Sequence, residues 1–90
     1  MTQTELVVAV AEKTGMTRKQ ARQAVAGMME AIQEALAAGQ EVRLVGFGVY
    51  QVRERAARKG RDPQTGRVIE IPAKRAVVFR PGKELRDAVR

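Results

Sequence analysis

Apolar positions recur at steps of three and four as far as Gly39 and at steps of two beyond it, and that change of period divides the chain. Leu6, Val7, Val10 and Ala11 form a first helical stripe, which Gly15 stops. Ala21, Ala24, Val25, Met28, Ile32, Ala35 and Leu36 form a second stripe of about twenty residues, with Gly39 as its terminator. Thr2 with Glu5, and Thr17 with Gln20, have the S/T-x-x-E/Q form of a capping box, so helices are expected to begin near residues 3 and 18. The methionines within the second stripe read as flexible core filler.

After Gly39, Val42 and Leu44 alternate with Glu41 and Arg43, and Tyr50 and Val52 alternate with Gln51 and Arg53. Gly46-Phe47-Gly48 lies between the two runs, which predicts a β-hairpin bent at the glycines, with Phe47 entering the core. The Gly-x-Gly pair is no dinucleotide fingerprint: position 51 is Gln where a third glycine would stand, and no helix follows. Val77 and Phe79 predict a further short strand, and Pro81-Gly82 breaks it. Lys83 to Arg90 reads as a short final helix with Leu85, Ala88 and Val89 on one side and Lys83, Arg86 and Arg90 on the other. The second side is equally consistent with a solvated face and with a ligand contact. The class is α+β, without internal repeats.

The segment that fits neither stripe is Arg53 to Arg75, which carries eight basic residues and little with which to build a core. Residues 1 to 41 hold four basic and five acidic side chains, whereas residues 42 to 90 hold thirteen and five, so the net +7 is concentrated in the second half. Such asymmetry is a footprint of nucleic-acid or acidic-membrane binding, although a solvated basic face has the same composition. The apolar stripes fit a packed body better than a lipid face, which disfavours the membrane.

Composition narrows the chemistry further. With no Cys, His or Ser, the chain offers no thiol or serine nucleophile, no imidazole base and none of the common zinc ligand sets, so neither catalysis nor a metal or other cofactor is expected. The apolar run from Leu6 to Ala11 is too short for a signal or a membrane span, and the expected setting is soluble and intracellular. A chain of 90 residues buries about 60 to 65% of its surface, and less if the basic segment projects. Without disulfides or metal, association with a second chain is the remaining source of stability, and a dimer is expected.

If Arg53 to Arg61 is extended, Arg53, Arg55, Lys59 and Arg61 line one side with Ala57 between them, and Arg58 lies on the other beside Ala56. On the returning strand, Val68, Glu70 and Pro72 alternate with Arg67, Ile69 and Ile71. Gly60-Arg61-Asp62-Pro63-Gln64-Thr65-Gly66 joins the two, with Asp-Pro as turn chemistry and Gly66 available for a left-handed conformation. The result is a two-stranded arm, marginal in isolation and expected to be mobile until it binds. Pro63 has two readings at this point, a turn former or an apolar wedge.

The run VGFGVYQVRERAARKGRDPQTGRVIEIPA followed by FRPGKELRDAV, with its arm-tip GR-x-PQTG and later F-x-PGK, resembles the bacterial histone-like HU and integration host factor family, and the order of elements agrees over all ninety residues. The resemblance implies an intertwined dimer. Residues 1–40 would form its helical dimerisation part, 41–52 and 76–80 a three-stranded antiparallel sheet body, 53–75 a protruding DNA-binding β-arm, and 83–90 the final helix. It implies binding of double-stranded DNA in the cytoplasmic nucleoid, with bending and compaction and little sequence specificity. Distorted or nicked duplexes are possible preferred targets, and a paralogue is a possible second dimer partner. Pro63 would intercalate, flanked by Arg61 and Gln64. Arg53, Arg55, Arg58, Lys59, Arg67, Lys74 and Arg75 would contact phosphates or groove edges, and Arg80, Lys83 and Arg86 would contact phosphates on the flanks. Phe47, Tyr50 and Phe79 would form the aromatic dimer core. The competing functions are a site-specific bending subunit like those of integration host factor and an RNA-binding module. Among departures from the family's common pattern, Asp62 stands where Asn is frequent and places a carboxylate beside the wedge, and Tyr50 replaces a frequent Phe.

Overall fold

The computed structural model describes residues 1–90, in two compact units, Met1–Ala35 and Leu36–Arg90. The first unit is built from helix α1, Gln3–Thr14, and most of helix α2, Arg18–Ala37. Both helices start where their caps predict. The Thr17 hydroxyl accepts from the Gln20 backbone N–H at 3.1 Å while the Gln20 side-chain oxygen accepts from the Thr17 N–H at 3.1 Å, a complete reciprocal box. At α1 the Thr2 hydroxyl accepts from the Glu5 N–H at 3.2 Å, but Glu5 answers through the Thr2 hydroxyl at 3.3 Å rather than through the backbone. Gly15 and Gly39 terminate the helices in left-handed conformation.

The core of this unit is small. Val7, Ala11 and Ala21 are buried, and Val10, Met16 and Val25 pack around them. The two stripes are therefore narrower than their periodicity suggests. Leu6, Ala24 and Met28 are exposed, although all three lie at apolar spacing, because a neighbour covers only part of each stripe.

In the second unit, strands β1 (Val42–Leu44), β2 (Gly48–Arg55) and β5 (Lys74–Pro81) form an antiparallel sheet in the order β1-β2-β5. Strands β3 (Arg58–Arg61) and β4 (Val68–Ile71) pair with each other beyond it, and helix α3, Lys83–Ala88, closes the chain. The hairpin turn forms at Val45-Gly46-Phe47, with Gly46 left-handed, and Gly48 opens β2. Gly48 is needed for a close approach: a Cβ there would lie 2.6 Å from the Phe79 ring and 2.7 Å from the Arg80 carbonyl oxygen. The turn is tied to the start of α3 by the Gly82 N–H, which donates to the Phe47 carbonyl at 2.8 Å.

Three expectations need correction. Strand β5 is longer than the Val77–Phe79 pattern, because Lys74, Arg75 and Ala76 also pair with β2 although they lack apolar alternation. The final helix stops at Ala88 instead of Arg90: the Val89 and Arg90 N–H groups bond three residues back, to Arg86 and Asp87, and Val89 is 79% exposed. Phe47 does not enter a core of this chain, being 46% exposed. Its ring stands 5.8 Å from that of Phe79, and Phe79 lies 4.6 Å from Tyr50, both tilted as aromatic pairs prefer. That cluster occupies one sheet face with Val77, and Phe79 and Val77 remain 36% and 63% exposed. No helix is long and apolar enough to cross a membrane.

Replacing Thr17 with Ala leaves the Gln20 N–H without its cap and should lower stability by about 1 kcal/mol. A shift of the denaturant midpoint at fixed protein concentration would measure it.

Candidate nucleic-acid interface

The interface follows from strand register. Residues directly opposite in an antiparallel ladder share a face, and neighbours along a strand alternate faces. Arg43 pairs with Val49 and Val49 with Arg80; Gln51 pairs with Val78, Arg53 with Ala76 and Arg55 with Lys74. These residues make up one face. Val42, Tyr50 and Phe79, with Val52 and Val77, make up the other. The sheet thus carries most of its cations on one side, with Val49 and Val78 among them, and its aromatic rings on the other.

The arm keeps this register. Arg55 opposes Lys74 and Arg58 opposes Ile71, so three residues toward the tip on one strand match three toward the tip on the other. Lys59 opposite Glu70 and Arg61 opposite Val68 then continue the alternation of Arg53 and Arg55. Arg58, opposite Ile71, alternates with them. The division of the outgoing strand expected from the sequence is the one its ladder partners produce.

The ladder is nevertheless interrupted at Ala56-Ala57 and Pro72-Ala73, which do not pair as strands. The proline ring restricts φ to about −65°, away from the roughly −140° of an antiparallel strand, which disfavours continued pairing at Pro72. The arm is consequently two short ladders in one register rather than the unbroken hairpin expected.

Beyond β3 the register closes on Asp62, whose N–H donates to the Arg67 carbonyl at 2.8 Å. The Gly66 N–H donates to the Asp62 carbonyl at 2.8 Å, with Gly66 left-handed at φ 72° as its turn position requires. The Asp62 carboxylate accepts from the Gln64 N–H at 2.9 Å, an Asx turn around Pro63. The Arg67 N–H reaches the Thr65 hydroxyl at 3.4 Å. Pro63 and Gln64 protrude, both exposed.

All of the candidate residues Arg53, Arg55, Arg58, Lys59, Arg61, Arg67, Lys74, Arg75, Arg80, Lys83 and Arg86 are exposed. Arg53, Arg55, Lys59, Arg61, Lys74 and Arg80 fall on the cationic side of the register. Arg75 falls on the other and approaches Glu54, its ladder partner, at 4.0 Å, an exposed pair that holds it only weakly. Lys83 and Arg86 belong to α3. One cation escaped the sequence reading. Arg43 stands on the cationic face in the row of Arg80, bonded to Glu41 at 3.0 Å. Pairing the two hairpin strands about Gly46-Phe47 would have placed it there.

A family model described as bacterial DNA-binding protein matches residues 1–90. The DNA-binding protein HU of Geobacillus stearothermophilus is 54% identical over 90 residues, which are 100% of both chains. The chain belongs to the bacterial histone-like HU family of DNA-binding proteins. HU of Staphylococcus aureus (strain COL) is 53% identical over the same full length. The Anabaena HU–DNA cocrystal structure matches with a TM-score of 0.86 at 48% identity, covering 99% of this chain and 97% of that one. HU from Thermotoga maritima matches at a TM-score of 0.70 and 29% identity, covering 100% of each. The HU family is one of DNA-binding architectural proteins and not a family of enzymes.

Substituting Pro72 with Ala frees the backbone angle that interrupts the arm. The Ala56 and Ala73 amides should then exchange with solvent more slowly than in the parent protein, as hydrogen exchange would show.

Proposed function

We propose that this chain is a nucleoid-associated architectural protein of the cytoplasm, which binds duplex DNA with little sequence specificity, bends it and compacts it. The observation that carries this reading is the register-matched row of cations running from Arg43 and Arg80 on the sheet to Arg61 beside the tip. A row of that kind follows a phosphate backbone, and its guanidinium groups hold phosphate oxygens in two-pronged hydrogen bonds. The cations of the row stand on strands rather than along a helix face, so phosphate contact and DNA deformability set the preference.

The arm, residues 53–75, enters the minor groove and Pro63 is its wedge. Minor-groove benders as a class, HU among them, insert apolar side chains between base steps, and Pro63 is an exposed apolar residue at the outermost turn. Gln64 and Arg61 flank it, while Arg58, Arg67 and Arg75 serve phosphates on the side of the arm away from the main row. Lys83 and Arg86 serve phosphates on the flanks. The Anabaena HU–DNA cocrystal structure, in which a relative is found with DNA, supports the same ligand for this chain.

The working unit is a homodimer. Residues 1–40 supply its helical part, and Phe47, Tyr50 and Phe79 supply its aromatic core. Val7, Ala11, Ala21 and Leu36 are the only apolar side chains buried within one chain, too little apolar burial for a domain of this size, and the Phe47–Phe79 face is left uncovered. Strands β1, β2 and β5 form the sheet body on which the arm is mounted, and α3 closes the chain.

Two measurements test this. With about eight phosphates neutralised, the log–log dependence of affinity on salt should have a slope near −7, and a slope near zero would refute the phosphate row. Pro63→Ala should leave folding intact and reduce the bend read by energy transfer between duplex ends, since wedge kinks of this class are about 20–90°. Preference for structured RNA over duplex at matched salt would favour the RNA-binding module. Strong preference for one duplex sequence would favour a site-specific bending subunit.

A further inference from the structure

We propose that Asp62 is the positioning residue for Pro63, ordering the tip before DNA arrives. The inference rests on the reading of Pro63 as the wedge. Pro63 itself has no N–H and cannot fasten its own position to the ladder. Asp62 does so from three directions. Its N–H donates to the Arg67 carbonyl at 2.8 Å, which locks the first tip residue to the returning strand. Its carbonyl accepts from the Gly66 N–H at 2.8 Å, closing the loop beneath Pro63. Its carboxylate accepts from the Gln64 N–H at 2.9 Å, fixing the residue after the wedge to the residue before it. Asp62 is half-buried by this arrangement, while residues 63 to 66 are exposed.

An Asx turn of this kind needs an oxygen acceptor on a short side chain, which Asp and Asn both provide. The carboxylate adds a negative charge beside a residue that must approach phosphates, so Asp62 trades affinity for the same order. The two effects separate on substitution. Asp62→Asn keeps the acceptor and removes the charge. Asp62→Ala removes both, and the two variants have equal net charge.

The test compares these variants with Pro63→Ala in full-length protein on one fluorescently labelled duplex. Affinity and end-to-end energy transfer are measured together, and hydrogen exchange at the Gln64 amide is followed in the free protein. Asp62→Asn should bend DNA as the parent does, protect the Gln64 amide and bind a few-fold more tightly at low salt. Asp62→Ala should lose that protection, bend less and bind roughly fivefold more weakly than Asp62→Asn. Equal bending and affinity in the two Asp62 variants would overturn the proposal, as would loss of the bend in Asp62→Asn. An unchanged bend in Pro63→Ala fails differently: it removes the wedge itself, and with it the object that Asp62 positions.

Discussion

One antiparallel register governs this molecule from the middle of its sheet to the last residue before the loop. Because facing residues share a side and neighbours alternate, the pairing of Tyr50 with Phe79 already determines that Arg53 and Arg55 lie on the opposite side from the aromatic rings. The same pairing, continued outward, sets Lys59 and Arg61 in the alternation of those arginines and ends at Asp62 opposite Arg67. Backbone geometry alone sets most of the cations apart from the aromatic rings, although Glu54 and Arg75 share the aromatic side and Val49 and Val78 the cationic one. The cation-bearing surface and the aromatic surface are therefore two sides of one strand pair.

The elements differ in what holds them. The helix starts depend on contacts three residues apart, and the Thr17–Gln20 box needs nothing beyond its own turn. The three-stranded sheet depends on residues some thirty apart, and the close passage of Phe79 over Gly48 admits no side chain there. The arm has neither resource. Its outer ladder is four residues long on each strand, broken at Pro72 from the sheet that supports it, and its order is concentrated in the hydrogen bonds around Asp62.

Legibility in the sequence followed the range of each interaction. Caps, helix terminators, the glycine turn and the left-handed Gly66 were all readable because the deciding atoms lie within a few residues. The alternation of cations in 53–61 was readable for the same reason. Burial was not: Leu6, Met28 and Phe47 have the spacing of core residues, but exposure is decided by which atoms elsewhere cover them. The full length of β5 was hidden because Lys74 and Arg75 pair through their backbones while their side chains carry no apolar signal. Arg43 was hidden because its place beside Arg80 exists only once β1, β2 and β5 are aligned. The family resemblance supplied the DNA ligand, which charge had left open between polyanions and a solvated face.

The constant register also limits how such a chain can change in length. One residue added to β2 between Tyr50 and Arg53 would reverse every position beyond it, turning the arginines toward the aromatic side and Glu54 toward the cationic one. Two residues added to one strand alone would restore the sides but displace each outer residue from its partner. Only matched additions to both strands, or changes within the loop from Pro63 to Gly66, leave the cation row intact. Arm length in proteins built this way should therefore vary in paired steps, with the loop as the place where single residues can come and go.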